Sequence, residues 1–195
     1  MSKTCYRFFG GLLTAQENWL NKMSERGYRL VQTGKLLYKF EECKPDQVRY
    51  CVEFIGQKSA DHAKEYRDFL EDMGYRVFYK NINLNYSIGK MRWRPWAEKG
   101  GRIATNATTF NRELLIVEKE NDGKAFALHT SYEDKETYYS SLRNPWLSIL
   151  LMFAICAILN RSPMMCVPAL ISLFPVTIYQ TQVIKNRRKA KTKEW

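Results

Sequence analysis

Histidine is nearly missing from this chain: 195 residues hold two, His62 and His129. The five cysteines (Cys5, Cys43, Cys51, Cys156, Cys166) are odd in number and follow no paired spacing. Neither a zinc set nor a disulfide framework follows, which suits a reducing cytoplasm. His62 comes after Asp61 at a helix start and His129 falls in a strand pattern, so both read as structural or surface residues. Met1–Gly11 is too short and too polar to offer the apolar core of a secretory signal. The segment Lys99-Gly100-Gly101-Arg102 lacks the Lys-Ser/Thr ending of a phosphate loop and reads as a plain turn. Glu41, Glu42 and Asp46 supply acids near a turn, but no histidine or metal spacing accompanies them. Cys51 sits mid-strand among apolar residues, where burial makes a thiol inert. No catalytic constellation emerges, so the expectation is a protein that is not an enzyme and needs neither cofactor nor metal.

Charge is also missing from two long runs near the C-terminus. Trp146–Leu159 has none, Asn160-Arg161-Ser162-Pro163 interrupts, and Met164–Ile184 again has none. The second run, at about 1.5 Å per residue, reaches about 31 Å and is long enough to cross a hydrocarbon core; the first reaches about 21 Å and falls short. Arg143 and Arg161 can snorkel from its ends, with Trp146 at the interface. Pro163 is expected to open the second helix, and Pro168 and Pro175 to kink it. Lys185, Arg187, Arg188, Lys189, Lys191 and Lys193 follow directly, a polybasic tail suited to anionic lipid headgroups. Flanking Lys/Arg favour a transmembrane hairpin with both termini in the cytoplasm.

The net charge of +11 is unevenly shared. The tail's six cations are offset only by Glu194, Arg161 adds one, and residues 1–144 carry the remaining five. The front portion is therefore only mildly basic, which argues against direct nucleic-acid binding.

The front portion echoes itself. Trp19-x3-Met23-x3-Gly27-Tyr28-Arg29-Leu30 recurs as Tyr66-x3-Leu70-x3-Gly74-Tyr75-Arg76-Val77. Each copy reads as an amphipathic helix closed by a left-handed glycine and followed by a strand. Thr14 and Glu17 form a capping box for the first helix. The second starts near Ser59–Asp61 and places Ala63, Tyr66, Phe69, Leu70 and Met73 on one face. Cys5–Gly10, Leu36–Glu41 and Val48–Ile55 read as strands, and Lys44-Pro45-Asp46 predicts a hairpin between the last two. The order matches an α+β, ferredoxin-like βαββαβ domain over residues 1–80. Residues 81–144 add a basic-aromatic loop, a second hairpin (Glu113–Glu120 with Lys124–Thr130, turning at Asp122-Gly123) and a linking helix from Tyr132 to Leu142. Residues 145–184 form the membrane hairpin and 185–195 the tail.

The WLNKMSERGYRL and YRDFLEDMGYRVF runs, with the paired apolar segments behind them, resemble a bacterial family catalogued as domain of unknown function 2812. The similarity is best over residues 5–80. It implies a membrane-attached cytoplasmic protein in a regulatory neighbourhood, with a PadR-like winged-helix regulator as partner. It brings no catalytic residues to this chain.

The sharpest local feature is the patch Lys90, Arg92, Trp93, Arg94, Trp96, Lys99 and Arg102. Interleaved Arg and Trp can stack on and neutralise an anionic ligand, a nucleic-acid backbone, lipid headgroups or a partner surface; the plain alternative is tryptophans packed on the sheet beside solvated cations. The reading is a membrane-anchored regulatory or binding protein, not an enzyme, that partners a transcription regulator or senses a small effector. The alternatives are an accessory subunit of a membrane complex, packed through Ala154, Ala157 and Ala169, or an enzyme on a membrane-proximal substrate.

Overall fold

The two Gly-closed helices of the sequence echo each sit inside a βαββ unit. A computed structural model describes the chain except residues 1, 57, 83, 85, 89–90, 95–102, 105–111, 125, 127, 129–131, 161–162 and 194–195. The first unit is β1 (Ser2–Tyr6), α1 (Leu13–Glu25), β2 (Tyr28–Thr33) and β3 (Leu37–Glu42). The second opens with β4 (Val48–Phe54), α2 (Ala60–Asp72) and β5 (Arg76–Lys80). Three short strands then intervene, β6 (Tyr86–Ile88), β7 (Met91–Trp93) and β8 (Ile103–Ala104), before β9 (Leu114–Glu120) completes the unit.

Both units have the same wiring: the third strand lies between the first two and is antiparallel to each, giving the orders β1-β3-β2 and β4-β9-β5. The register matches as well, since Arg29 faces Glu41 in the first unit and Arg76 faces Glu118 in the second. Gly27 and Gly74 hold positive φ angles of 79° and 84° behind helices of 13 residues each. The echo therefore records a structural repeat. β6, β7 and β8 form a separate small sheet inserted where the first unit has only the turn at Gly34.

This pairing corrects the hairpin expected between Leu36–Glu41 and Val48–Ile55. β3 pairs with β1 and β2, whereas β4 pairs with β9, so the Pro45-Asp46 turn joins two sheets. Apart from β6, β7 and β8, the strands fall into two three-stranded sheets, not the single sheet that a βαββαβ reading implies. β9, expected as one arm of a terminal hairpin, lies at the centre of a sheet between β4 and β5, and most of the expected second arm, Lys124–Thr130, lies outside the described residues. Its alternation explains why: Leu115 and Val117 face α2, while Leu114 and Ile116 lie on the opposite face beside Tyr50, Val52 and Phe78, and all four are buried. A strand buried on both faces belongs inside a sheet.

On one face of the second sheet, Ala63 and Leu70 of α2 pack on Ile55, Leu115 and Val117. Phe69 and Met73, expected on the same face, are exposed. In the first unit Trp19 of α1 stacks edge-on against Tyr38 and Phe40 of β3.

α1 has a second task. Its N-cap is Leu12 and no side chain caps it, so the expected Thr14–Glu17 box does not form. Glu17 instead accepts from the Val52 amide at 3.1 Å, Asn21 from the Tyr50 amide at 2.8 Å and Ser24 from the Val48 amide at 3.3 Å. Spaced at helical intervals, these three side chains satisfy the outer edge of β4, which would otherwise offer a row of unpaired donors.

The C-terminal unit is an antiparallel pair, α3 (Tyr132–Asn160) and α4 (Cys166–Lys193). α3 runs through Pro145, so the linking helix and the first apolar run are one element. Pro163 opens a 3-10 turn, and Pro168 falls in the first turn of α4, where its missing N–H costs nothing. Only Pro175 lies in the interior of α4. Glu136 accepts from Arg187 at 2.6 Å, Gln180 from Arg143 at 2.6 Å, and Lys189 lies 5.5 Å from the centre of the Tyr132 ring. These contacts set a register in which Tyr179–Ile184 runs beside the polar turns of α3. The facing uncharged lengths are thus 144–160 and 163–179, about 25 Å each at 1.5 Å per residue.

Candidate functional sites

Three places gather polar chemistry. The first joins the repeats. Glu118 of β9 is buried, and its carboxylate accepts from Arg29 Nε at 2.8 Å and from Tyr50 Oη at 2.8 Å. Arg76 Nη1 stands 4.0 Å away. Tyr50 Oη in turn accepts the Leu30 amide at 2.8 Å. The equivalent arginines of the two echo copies thus converge on one buried acid. Hydrogen bonding to Glu118 raises the Arg29 pKa, and burial followed by the Glu118 charge raises that of Tyr50. Every member is engaged in holding another, so the arrangement is a clamp between sheets.

The second is a half-open recess with an interior of about 10 Å³, the room one water needs. Arg7, Gln16, Tyr38, Lys80 and Asn81 supply its polar lining. Lys80 is 3% exposed; its ammonium donates to the carbonyls of Gly34 and Lys35 and lies 4.1 Å from the centre of the Tyr38 ring. Burial lowers its pKa to about 8. Gln16 Nε2 and Tyr38 Oη are buried without a hydrogen-bond partner among the described residues. Burial raises the Tyr38 pKa while the Arg7 charge opposes the rise. Arg7 itself is exposed at the mouth, over the rings of Phe9 and Trp19. None of these residues was singled out by sequence reasoning. They are scattered from position 7 to 81, and the one available signal is the alternation Arg76-Phe78-Lys80, which puts a lysine on a buried face.

The third is the basic-aromatic patch. Lys90, Trp96, Lys99 and Arg102 lie outside the described residues, and Arg92 is described by its backbone alone. Trp93 is 48% exposed on β7, whereas Arg94 is 2% exposed and donates to the Gly56 carbonyl at 3.5 Å. Burial lowers the Arg94 pKa, with the Glu113 charge opposing. The structure therefore separates the two adjacent residues, one outward and one inward.

Of the tail, Lys185, Arg187, Arg188, Lys189, Lys191 and Lys193 continue α4 as helix, and Arg187 is held by Glu136. Burial raises the Cys43 pKa, and its thiol donates to the Lys44 carbonyl at 3.3 Å. His62 is exposed at the start of α2, where its amide donates to the Ser59 cap at 3.2 Å. His129 lies outside the described residues.

A mixed α+β front unit ahead of two helices long and apolar enough to cross a membrane defines the class of protein. Within it, a family model described as "Protein of unknown function (DUF2812)" matches residues 13–151, and the chain belongs to that family. No curated protein and no solved structure matches it.

Proposed function

We propose that this chain is a membrane-anchored binding protein of regulatory role, its front unit and both termini facing the cytoplasm. The observation that carries the reading is the apolar surface of the hairpin. Ile158 and Leu159 of α3 are each 76% exposed, and Leu170 and Phe174 of α4 are 67% and 70% exposed. A core helix of a soluble protein buries such residues, and a band of this size left in water would drive association. Lipid is the solvent that fits it. The uncharged band of about 25 Å is somewhat thinner than a typical hydrocarbon core of about 30 Å, a mismatch that local thinning and snorkelling absorb. Six cations at the end of α4 sit where anionic headgroups attract them.

The binding role of the front unit draws support from Trp93, held outward on β7 within the basic-aromatic segment. Each βαββ unit supplies the first four elements of the ferredoxin-like order, a scaffold that hosts many binding functions. A PadR-like winged-helix regulator is the partner we propose for the front unit.

Alkaline carbonate extraction and C-terminal reporter fusions test the placement. The protein should stay in the pellet, a fused fluorescent protein should light up, and a fused alkaline phosphatase should be silent. Release into the supernatant or an active phosphatase overturns the placement. Co-purification from micelles with a winged-helix regulator, lost on Trp93→Ala, tests the regulatory role; an undiminished yield with the variant argues against the patch.

A further inference from the structure

We propose that the recess formed by the β1–α1 loop, β3 and the end of β5 binds one oxygen edge of a small oxyanion, a carboxylate or phosphoryl group. The inference rests on the reading of the front unit as a binding module and names the ligand class for it.

The lining is rich in donors. Lys80, Gln16 Nε2, Tyr38 Oη and Arg7 all present N–H or O–H groups, and Asn81 adds an amide. No carboxylate lines the recess among the described residues. The buried acid at this end of the sheet, Glu113, accepts from the Ile82 amide at 3.3 Å and lies near Arg94. Among the described residues two cations therefore stand without a counter-ion: Lys80 meets carbonyls and a ring face, and Arg7 meets ring faces. A buried ammonium normally keeps a paired acid nearby.

The second observation is independent of charge. Gln16 and Tyr38 are 2% and 0% exposed, and each leaves a donor unused. Buried donors without acceptors destabilise a fold, and native proteins keep few of them. Two at one recess point to an occupant that accepts from both. A single water would satisfy these donors but leave the buried Lys80 charge uncompensated. An oxyanion does both. Its size fits too, because the interior takes one oxygen while the remainder of the group stays at the mouth beside Arg7.

The test uses the full chain in uncharged detergent micelles, with thermal unfolding followed by intrinsic fluorescence. Sodium phosphate and sodium acetate are titrated against sodium chloride at equal ionic strength. A saturable upward shift with phosphate or acetate, beyond that of chloride, is expected. Tyr38→Phe and Gln16→Leu should each weaken the apparent affinity about three- to ten-fold. They should leave the unliganded midpoint unchanged or raised, because each removes an unused donor, a combination that a merely structural role does not produce. Lys80→Met should weaken it at least about ten-fold; should that variant not fold, the other two still decide. Phosphatidylglycerol added to the micelles separates the sources: variant-sensitive stabilisation by that lipid alone assigns the oxyanion to a headgroup, and by phosphate or acetate to a soluble ligand. Equal shifts in all three salts, or full affinity in both single-donor variants, overturn the site. Membrane extraction of the same variants should not change, so failure here leaves the placement of the protein intact.

Discussion

The two βαββ units start alike and part company after their second strand. In the first, β2 turns back within three residues at Gly34, and β3 follows directly. In the second, β5 and β9 are separated by the segment that carries β6, β7, β8 and the basic-aromatic patch. The shared part is hydrophobic pattern, helix length and a closing glycine; the added part is where the unusual side chains are. One repeat closes with a three-residue turn, and its sibling carries a long insertion in the same place. The junction between them is asymmetric as well. Glu118 is buried and clamps Arg29, Arg76 and Tyr50, while its counterpart Glu41 is exposed.

That asymmetry makes the largest prediction. Glu118→Ala should destabilise the front unit by about 3 kcal/mol, at the low end of the range for breaking a buried pair because Arg29 retains some access to water. Glu41→Ala should stay within about 0.5 kcal/mol. Denaturant unfolding of the full chain in micelles compares the two, and equal losses would mean that the repeats are joined elsewhere.

Lys80 sharpens the comparison through pH. Its counterpart in the first unit is Thr33, which cannot titrate and whose hydroxyl donates to the Tyr79 carbonyl at 2.6 Å. Lys80 has a native pKa of about 8 against 10.5 in the unfolded chain, so the native state holds the proton less tightly. Between these values the unfolded chain binds more protons, and stability must rise with pH. The penalty is fully present below pH 8 and should fall by about 2 kcal/mol between pH 7 and 9.5. Tyr38, which faces Lys80 from β3, keeps its proton across this range because burial raises its pKa; Arg7 faces it from the β1–α1 loop. Lys80→Met should flatten the rise; an identical profile in the variant would remove Lys80 as its source.

The paired glycines give a smaller, cleaner contrast. Both need the left-handed region, which costs a side-chain-bearing residue about 1–2 kcal/mol. A Cβ at Gly27 would also meet the Cys43 carbonyl oxygen at 3.0 Å, whereas at Gly74 it meets nothing within 4 Å. Gly27→Ala should therefore cost about 2 kcal/mol and Gly74→Ala about 1 kcal/mol. Equal midpoint losses on thermal unfolding would show that the carbonyl contact gives way freely.

What was legible in the sequence was local. The helices, their glycine ends and most strands follow from periodicity and turn residues within windows of about a dozen positions. The βαββ repeat was half visible, as the echo around Gly27 and Gly74, because the halves of that motif lie close together in the chain. The third strand of the second unit was not, since 33 residues separate β5 from β9 and no local pattern says which strand β9 joins. The recess was hidden for the same reason: Arg7, Gln16, Tyr38 and Lys80 meet only after both units have folded. Trp93 and Arg94 show the opposite limit. They are adjacent and chemically conspicuous, yet composition could not say which of them faces outward.

The smallest prediction concerns the outer edge of β4. On α1 the stripe Glu17, Asn21 and Ser24 accepts the three outward amides of that strand. The matching positions on α2 are Lys64, Asp68 and Glu71, and there Arg67 joins Asp68 and Glu71 in a solvated cluster with no strand edge attached. The same helix positions thus serve a sheet edge in one repeat and water in the other, which is why a polar stripe on an amphipathic helix does not reveal its task. Asn21→Ala removes an acceptor from the Tyr50 amide and a donor from the Tyr50 carbonyl, bonds of 2.8 and 3.1 Å. It should cost about 1 kcal/mol and speed hydrogen exchange at Tyr50, while Asp68→Ala should change stability by less than about 0.5 kcal/mol. Exchange at Tyr50 as slow in the Asn21 variant as in the parent would mean that the strand edge is protected by burial alone, and that α1 and α2 differ less than their side chains imply.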